Sequence, residues 1–138
     1  MRNVIVPGLA AGVAMLVVGL IVNGVYGALF PAFQTEYETS GIFRPWSDPL
    51  MSLYFLYPFV TGIILAYVWK KTKGLVSGAD AWSRGSRFGM LAWVVLTLPG
   101  MLITYASFVV SLGLVLSWTV DGFLELLVAG WVLARLAR

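Results

Sequence analysis

A chain of 138 residues is short enough to form one domain, yet 60% of its residues are hydrophobic and only 11% are charged. A water-soluble domain of this length cannot bury so much apolar surface, so we expect a lipid bilayer to solvate the remainder. The net charge of +3 comes from basic residues scattered among apolar runs, which argues against a nucleic-acid-binding patch. The chain has no cysteine and no histidine, which excludes disulfides, histidine-ligated metal sites and Ser-His or Cys-His nucleophile pairs; no metal or cofactor is expected.

The first apolar segment predicts a helix over residues 4–29, directly after the basic Arg2. Its apolar run exceeds the ~7–15 residues of a signal-peptide core, and Tyr26 stands where a cleavage site would need a small residue, so we expect a retained membrane helix. One side carries a Gly-xxx-Gly pair, Gly8 and Gly12, which predicts close approach of another helix. That helix belongs either to the same chain, which we favour, or to a second copy.

An acidic connection over residues 30–48 follows, long enough to hold a short helix or to cover the helices. Within it, Ser47-Asp48-Pro49 is typical of an N-cap followed by proline in the first helical turn. A second helix is therefore predicted over residues 49–69. Pro58 lies in the middle of this helix and is expected to kink it.

A basic connection over residues 70–87 separates the second helix from the last long apolar run. As one helix, residues 88–134 would be about 70 Å long, more than twice the thickness of the hydrocarbon core, so the run must fold back. We predict helices over residues 88–108 and 113–134, with the turn near residues 107–113 and a kink at Pro99-Gly100. The basic connection is either flexible or a short interfacial helix.

The distribution of basic residues predicts the orientation, because lysine and arginine are retained on the cytoplasmic side. The connection over residues 70–87 is basic, and Arg2, Arg135 and Arg138 lie near the two termini. The expected fold is therefore all-α: a polytopic membrane protein in which residues 1–138 form a single four-transmembrane-helix bundle. Both termini are expected to be cytoplasmic, in the cell (inner or plasma) membrane, and Trp69 is expected to be an interfacial anchor.

Asp121 and Glu125 are the most informative polar residues, since they lie one turn apart on one face of the fourth helix. An acidic residue at the centre of a membrane helix costs ~2.5–3.5 kcal/mol, so both need partners, water or protonation. Because lipid offers polar groups no hydrogen bonds, the polar sides of all four helices should converge. This predicts an outward-facing polar cavity lined by Asp121, Glu125, Asn23, Tyr54, Tyr57, Thr61, Thr104 and Ser117, with Arg44 of the acidic connection pairing with Asp121.

Several functions fit such a cavity. One alternative is that the acids only hold the fourth helix in register; the other is that they line a ligand or ion pathway, as intramembrane acids commonly do. The leading hypothesis is a binding or accessory subunit; a proton- or cation-coupled transporter or channel comes second, and a membrane-embedded enzyme using the acids as general acid and base comes third. The expected partners are membrane lipids and either a second copy or a larger membrane complex, and no nucleic acid.

Two segments carry a family resemblance. The glycine-rich first helix ends in Val25-Tyr26-Gly27-Ala28-Leu29-Phe30, and the second is entered through Phe43-Arg44-Pro45-Trp46-Ser47-Asp48-Pro49-Leu50-Met51-Ser52. In these features the chain resembles the small uncharacterised four-helix membrane proteins of prokaryotes that are classed as domains of unknown function. Such families have no assigned activity, so the resemblance implies no functional residue. The small multidrug transporters and small fluoride channels share the size, but their signature residues are missing, including a glutamate within the first helix.

Overall fold

The computed structural model describes residues 2–137, and it confirms the all-α class. In chain order the helices are α1 (Arg2–Leu29), α2 (Pro31–Thr39), α3 (Ser52–Thr72), α4 (Ala81–Leu96), α5 (Leu98–Ser107) and α6 (Leu112–Leu136), with a 3-10 turn at Pro49–Met51 before α3. Within this part of the chain, four segments are long and apolar enough to cross a membrane: Asn3–Leu29, Pro49–Thr72, Ala81–Ser107 and Leu112–Leu136. Arg138 and the side chain of Arg2, both used to predict the orientation, lie outside the described structure.

The third long helical segment begins at Ala81, seven residues before the predicted start at residue 88. Asp80 and Ser83 form a capping box, in which the Ser83 amide donates to Asp80 Oδ1 at 2.7 Å and the Asp80 amide donates to Ser83 Oγ at 3.3 Å. The prediction was wrong here because it followed the apolar run and overlooked this cap. The connection predicted over residues 70–87 therefore shrinks to residues 73–80.

The other connections also have caps that fix where helices begin. As predicted, Asp48 caps the turn that leads into α3, since the Leu50 amide donates to its Oδ1 at 2.9 Å. The predicted acidic connection over residues 30–48 contains α2, whose first residue is Pro31. The turn predicted near residues 107–113 lies at residues 108–111, where Ser111 Oγ caps α6 by accepting from the Leu114 amide at 3.1 Å.

The two mid-helix prolines have different effects. Helix α3 continues through Pro58, whereas the third segment breaks at Thr97, one residue before α5 begins. Pro99 follows directly, and because proline has no amide hydrogen, the carbonyl of Val95 loses its usual helical partner. Thr97 keeps an αR backbone and its amide still donates to the Trp93 carbonyl, so the segment Ala81–Ser107 is interrupted locally at the position of the predicted kink.

The long helices pack in the order α3, α1, α6, α4, so that α1 and α6 form the centre of the bundle. Glycines line the two outer helix–helix contacts, α3 with α1 and α4 with α6, which are called the glycine seams. A Cβ added to Gly12 of α1 would lie 2.8 Å from Phe59 Cα of α3, and one added to Gly89 of α4 would lie 2.8 Å from Leu127 Cα of α6. The Gly-xxx-Gly pair of α1 thus packs within the chain, and a second pair, Gly85 and Gly89, does the same in α4.

The basic residues of α3, its C-cap, α4 and α6 gather at one end of the bundle, called the basic end (Lys70, Lys71, Lys73, Arg84, Arg87 and Arg135). Helix α2 and Asp48 mark the opposite, acidic end. A closed apolar core fills the half next to the basic end, made of Ala11, Met15, Leu65, Ala66, Trp69, Phe88, Leu126, Ala129, Leu133 and Ala134. Trp69 is 1% exposed, its ring meets Phe88 edge-on at 5.1 Å, and its indole N–H donates to the Ala137 carbonyl at 3.1 Å. It is a core residue, not the interfacial anchor predicted from its position.

The outward faces of the helices are apolar. A folded water-soluble monomer of this mass exposes roughly 7,100 Å², whereas this chain exposes 8494 Å². Leucine, valine and isoleucine side chains along the outer faces of the long helices are exposed, including Leu20, Ile64, Leu102 and Leu116. Such a surface requires an apolar solvent or a partner to cover it.

Candidate functional site

A cavity of about 630 Å³ lies in the acidic half of the bundle. Helices α1 and α6 form its back wall, α3 and α5 flank it, and α2 covers it. Helices α3 and α5 share no extended packing seam, so the cavity has an open side between them. Asp121 and Glu125 of α6 lie on the wall of this cavity, and Glu125 is the nearer of the two to the closed core.

Six of the nine residues predicted to form the site line the cavity: Asn23, Tyr54, Tyr57, Ser117, Asp121 and Glu125. Thr61 and Thr104 are not among the lining residues. Thr61 lies on the basic side of Pro58 in α3, and the Thr104 hydroxyl donates to the Gly100 carbonyl of its own helix at 2.8 Å. Helical periodicity placed both on a polar face, but it could not show how far the cavity extends along that face.

The predicted ion pair between Arg44 and Asp121 is wrong. Arg44 Nη1 donates instead to Asp48 Oδ2 at 2.8 Å. The Leu50 amide and this guanidinium hold the pKa of Asp48 below its ordinary value. A carboxylate four residues away needs far less chain ordering to reach than one across the bundle, and it engages the guanidinium of Arg44 outside the cavity.

Only one of the two carboxyl oxygens of Asp121 has a hydrogen-bond partner in the described part of the chain. Asn23 of α1 donates through Nδ2 to Asp121 Oδ2 at 3.3 Å and to the Gly19 carbonyl at 2.9 Å. Asp121 Oδ1 is buried and accepts no hydrogen bond from any residue in the described part of the chain. A buried carboxyl oxygen without a partner is unfavourable, so Asp121 is held on the cavity wall at an energetic cost.

Glu125 packs against the backbone of α1 at Gly19. A Cβ added to Gly19 would collide with Glu125 Oε1, so the carboxyl group occupies the space that only glycine leaves open. Gly19 therefore makes room for the acid of a neighbouring helix.

Aromatic side chains make up much of the cavity wall: Tyr26, Phe33, Tyr37, Trp46, Tyr54, Phe55, Tyr57 and Trp118. Several of them brace one another. Trp46 and Tyr54 meet edge-on with ring centroids 5.3 Å apart, and Tyr37 stacks on Phe43 at 4.4 Å. Burial raises the pKa of the Tyr37 phenol above its ordinary value. The sequence indicated Tyr54 and Tyr57 but not the remaining rings, which come together only in the folded chain.

Helix α2 is attached to the bundle by a contact that the sequence did not reveal. The amide and hydroxyl of Ser111 donate to the two carboxylate oxygens of Glu36 at 2.5 and 2.6 Å. These groups are 75 residues apart in sequence, so no local pattern indicates the contact. It fixes α2 to the N-terminus of α6 and thereby holds Gln34 and Glu38 at the cavity.

No protein-family model, curated protein or solved structure matches this chain. The resemblance to small prokaryotic four-helix membrane proteins therefore stays a prediction.

Proposed function

We propose that the chain is an integral membrane protein with four spans, both termini in the cytoplasm and the acidic end outside. The apolar outer faces support insertion. The charges support the orientation, since the basic residues of α3, α4 and α6 share one end, and Glu36, Glu38 and Asp48 lie at the other. In this orientation Glu125 lies near the midplane and the cavity opens to the outer side.

Cysteine labelling tests this orientation, because the chain has no cysteine of its own. Ser47→Cys and Ala79→Cys each place one thiol at an exposed position in a connection. A membrane-impermeant maleimide added to intact cells should label Ser47→Cys at once and Ala79→Cys only after permeabilisation. Labelling of both, or the reverse order, contradicts the proposed topology.

We further propose a binding or accessory function, in which the cavity holds part of an amphipathic molecule. The observation that carries this proposal is the pair Asp121 and Glu125 on the wall of a cavity large enough for an organic molecule. The closed core on the basic side favours binding over conduction, because Met15, Phe88 and Leu126 pack together between the acids and that end. An ion would have to cross this apolar layer without a polar partner.

Native mass spectrometry of the protein released from detergent micelles tests the binding proposal. The wild-type chain should retain small-molecule adducts, and the Asp121→Asn/Glu125→Gln double variant should lose most of them. Asp48→Asn is the matched control, because Asp48 is also acidic but pairs with Arg44 and does not line the cavity. Absence of adducts on the wild type, or equal adducts on all three proteins, contradicts the proposal.

A further inference from the structure

We infer that the molecule held in the cavity is an amphiphilic organic cation, with an ammonium group next to Asp121 and Glu125 and an apolar portion among the aromatic side chains. This inference rests on the proposed binding function and names its ligand class. Three properties of the cavity lead to it: the sign of its charge, the chemistry of its wall and its open side.

The ionisable side chains of the cavity wall are acidic or phenolic. Glu38, Asp121 and Glu125 line it, and no lysine or arginine within residues 2–137 does so. Arg44, the one basic residue of the acidic connection, is paired with Asp48 outside the cavity. An anionic ligand would meet only like charge or neutral dipoles here, whereas a cation would find opposite charge in a region of low dielectric, where attraction is strongest.

A small inorganic cation fits this wall poorly. Calcium takes six to eight oxygen ligands and magnesium six in near-ideal geometry. In the described structure no three acidic, histidine or cysteine side chains lie close enough together to hold a metal ion. A volume of about 630 Å³ is also far larger than such an ion needs, and it matches the size of sites for organic ligands.

The aromatic wall suits an ammonium group in particular. The negative faces of tyrosine and tryptophan rings attract cations, and clusters of such rings are the usual site for quaternary ammonium groups. Trp46 and Tyr54 pack edge-on at 5.3 Å, which holds both rings in place before any ligand arrives. The carboxyl groups of Asp121 and Glu125 on the same wall then supply an acceptor for an N–H or a counter-charge for a methylated nitrogen.

The open side between α3 and α5 provides room for an apolar chain. Tyr57 is 61% exposed and Phe55 47% exposed while both also line the cavity, so the wall there continues onto the outer face of α3. Across the gap, Met101 of α5 lines the opposite edge. A ligand with its ammonium group at the acids can therefore extend its apolar chain through this gap along lipid-exposed surface.

Binding of three probes with the same hexyl chain tests the ligand class: hexyltrimethylammonium, hexanol and hexanesulfonate. The protein is kept in uncharged maltoside micelles, so that no lipid headgroup competes. A change in the intrinsic tryptophan fluorescence, to which Trp46 and Trp118 on the cavity wall contribute, reports occupancy, and saturation-transfer NMR reports contact with the methyl protons of the probe. We expect saturable binding of the cationic probe, at least tenfold tighter than either of the other two.

Two variants locate the binding. Asp121→Asn/Glu125→Gln should weaken binding of the cationic probe by at least tenfold, and Tyr54→Leu by about three- to tenfold. Asp48→Asn should leave binding unchanged. If the double variant does not fold, judged by its thermal transition, Tyr54→Leu still decides, because it leaves the acids and the glycine seams in place.

The outcomes separate this inference from the function on which it rests. If adducts in native mass spectrometry depend on the two acids but hexanol or hexanesulfonate binds as tightly as the cation, the ligand class is wrong and the binding function stands. If hexyltrimethylammonium binds equally well to wild type and to both cavity variants, the inference is also overturned. If no probe binds and the wild type carries no adducts, both the inference and the proposed function fail.

Discussion

The two halves of the bundle are built from the same helices and yet pack in opposite ways. In the basic half, glycines bring backbones into contact: Gly12 of α1 faces α3, and Gly130 of α6 faces Gly85 of α4. In the acidic half, the continuations of α1 and α6 present Asn23 and Asp121, and the aromatic residues of α3 line the space between. Small side chains let helices close upon one another, whereas large and polar ones leave a cavity.

This contrast indicates that the two halves of each long helix have different roles, one in packing and the other in forming the cavity. Without a hydrophobic force between helices in lipid, close van der Waals packing at small residues is what holds a membrane bundle together. The basic half supplies that packing, and its core is closed around Trp69. The acidic half is then free to remain open. Substitutions should therefore reduce stability in the basic half and ligand binding in the acidic half, and the following experiments test that rule from the largest expected effect to the smallest.

Replacing the two tryptophans gives the largest expected contrast. Trp69→Ala removes a side chain that is 1% exposed together with its hydrogen bond to Ala137, and should lower the free energy of unfolding by about 3–5 kcal/mol. Trp46→Ala removes a side chain that is 51% exposed at the cavity and should cost far less. Thermal unfolding in detergent measures both, and equal losses would contradict the division between the halves.

Adding a side chain in the glycine seam between α4 and α6 should have the next largest effect on stability. A Cβ on Gly130 would meet the backbone of α4, including the Gly89 amide nitrogen at 3.0 Å, so Gly130→Leu must push α4 and α6 apart. We expect a loss of about 1–3 kcal/mol in unfolding free energy. Gly24→Leu is the matched control, since a Cβ there has no atom within 4 Å. A Gly130→Leu protein as stable as the control would show that the seam is not tightly packed.

Releasing the cover of the cavity should have a smaller, local effect. Glu36→Ala removes the acceptor for both Ser111 donors and should destabilise the closed position of α2 by about 1–2 kcal/mol. Glu38→Ala, two residues along α2, removes only the contact with Gln34. Hydrogen exchange should accelerate over residues 31–39 in Glu36→Ala and little in Glu38→Ala, while the Tm of both stays close to that of the wild type. Equal exchange in the two variants would show that Ser111 does not secure the cover.

The smallest effect concerns pH at the basic end. Hydrogen bonds from Ser83, chiefly from its backbone amide, hold the pKa of Asp80 below its ordinary value of 3.8. A lowered pKa in the folded state means that the ionised cap stabilises the fold above the ordinary pKa and that this stabilisation is lost as the pH falls through the folded-state pKa. Asp80→Asn should thus lower the Tm slightly at pH 7 and show no difference from the wild type once Asp80 is protonated. A difference that persists at the lowest pH would contradict this origin.

The sequence was sufficient to predict much of this fold, and the reasons are physical. Apolar runs of spanning length predicted the four long segments, and the spacing of Asp121 and Glu125 placed both acids on one face. Contacts that depend on the relative position of distant helices could not be predicted. Glu36 meets Ser111 across 75 residues. The pairing of Arg44 with Asp48, four residues away, was available in the sequence but was passed over in favour of Asp121. The second Gly-xxx-Gly pair was available in the sequence but was overlooked, because residues 70–87 were assigned to a connection.

The fit of Glu125 against Gly19 also affects how the bundle assembles. If α1 slid along α6 by one helical turn, the carboxyl group would press on Leu16 or on Asn23, and neither leaves the space that glycine does. The fit between this carboxyl group and Gly19 therefore favours the observed alignment of the two central helices. In that alignment Asn23 also reaches Asp121. The alignment that seats Glu125 against Gly19 therefore also builds this part of the cavity wall.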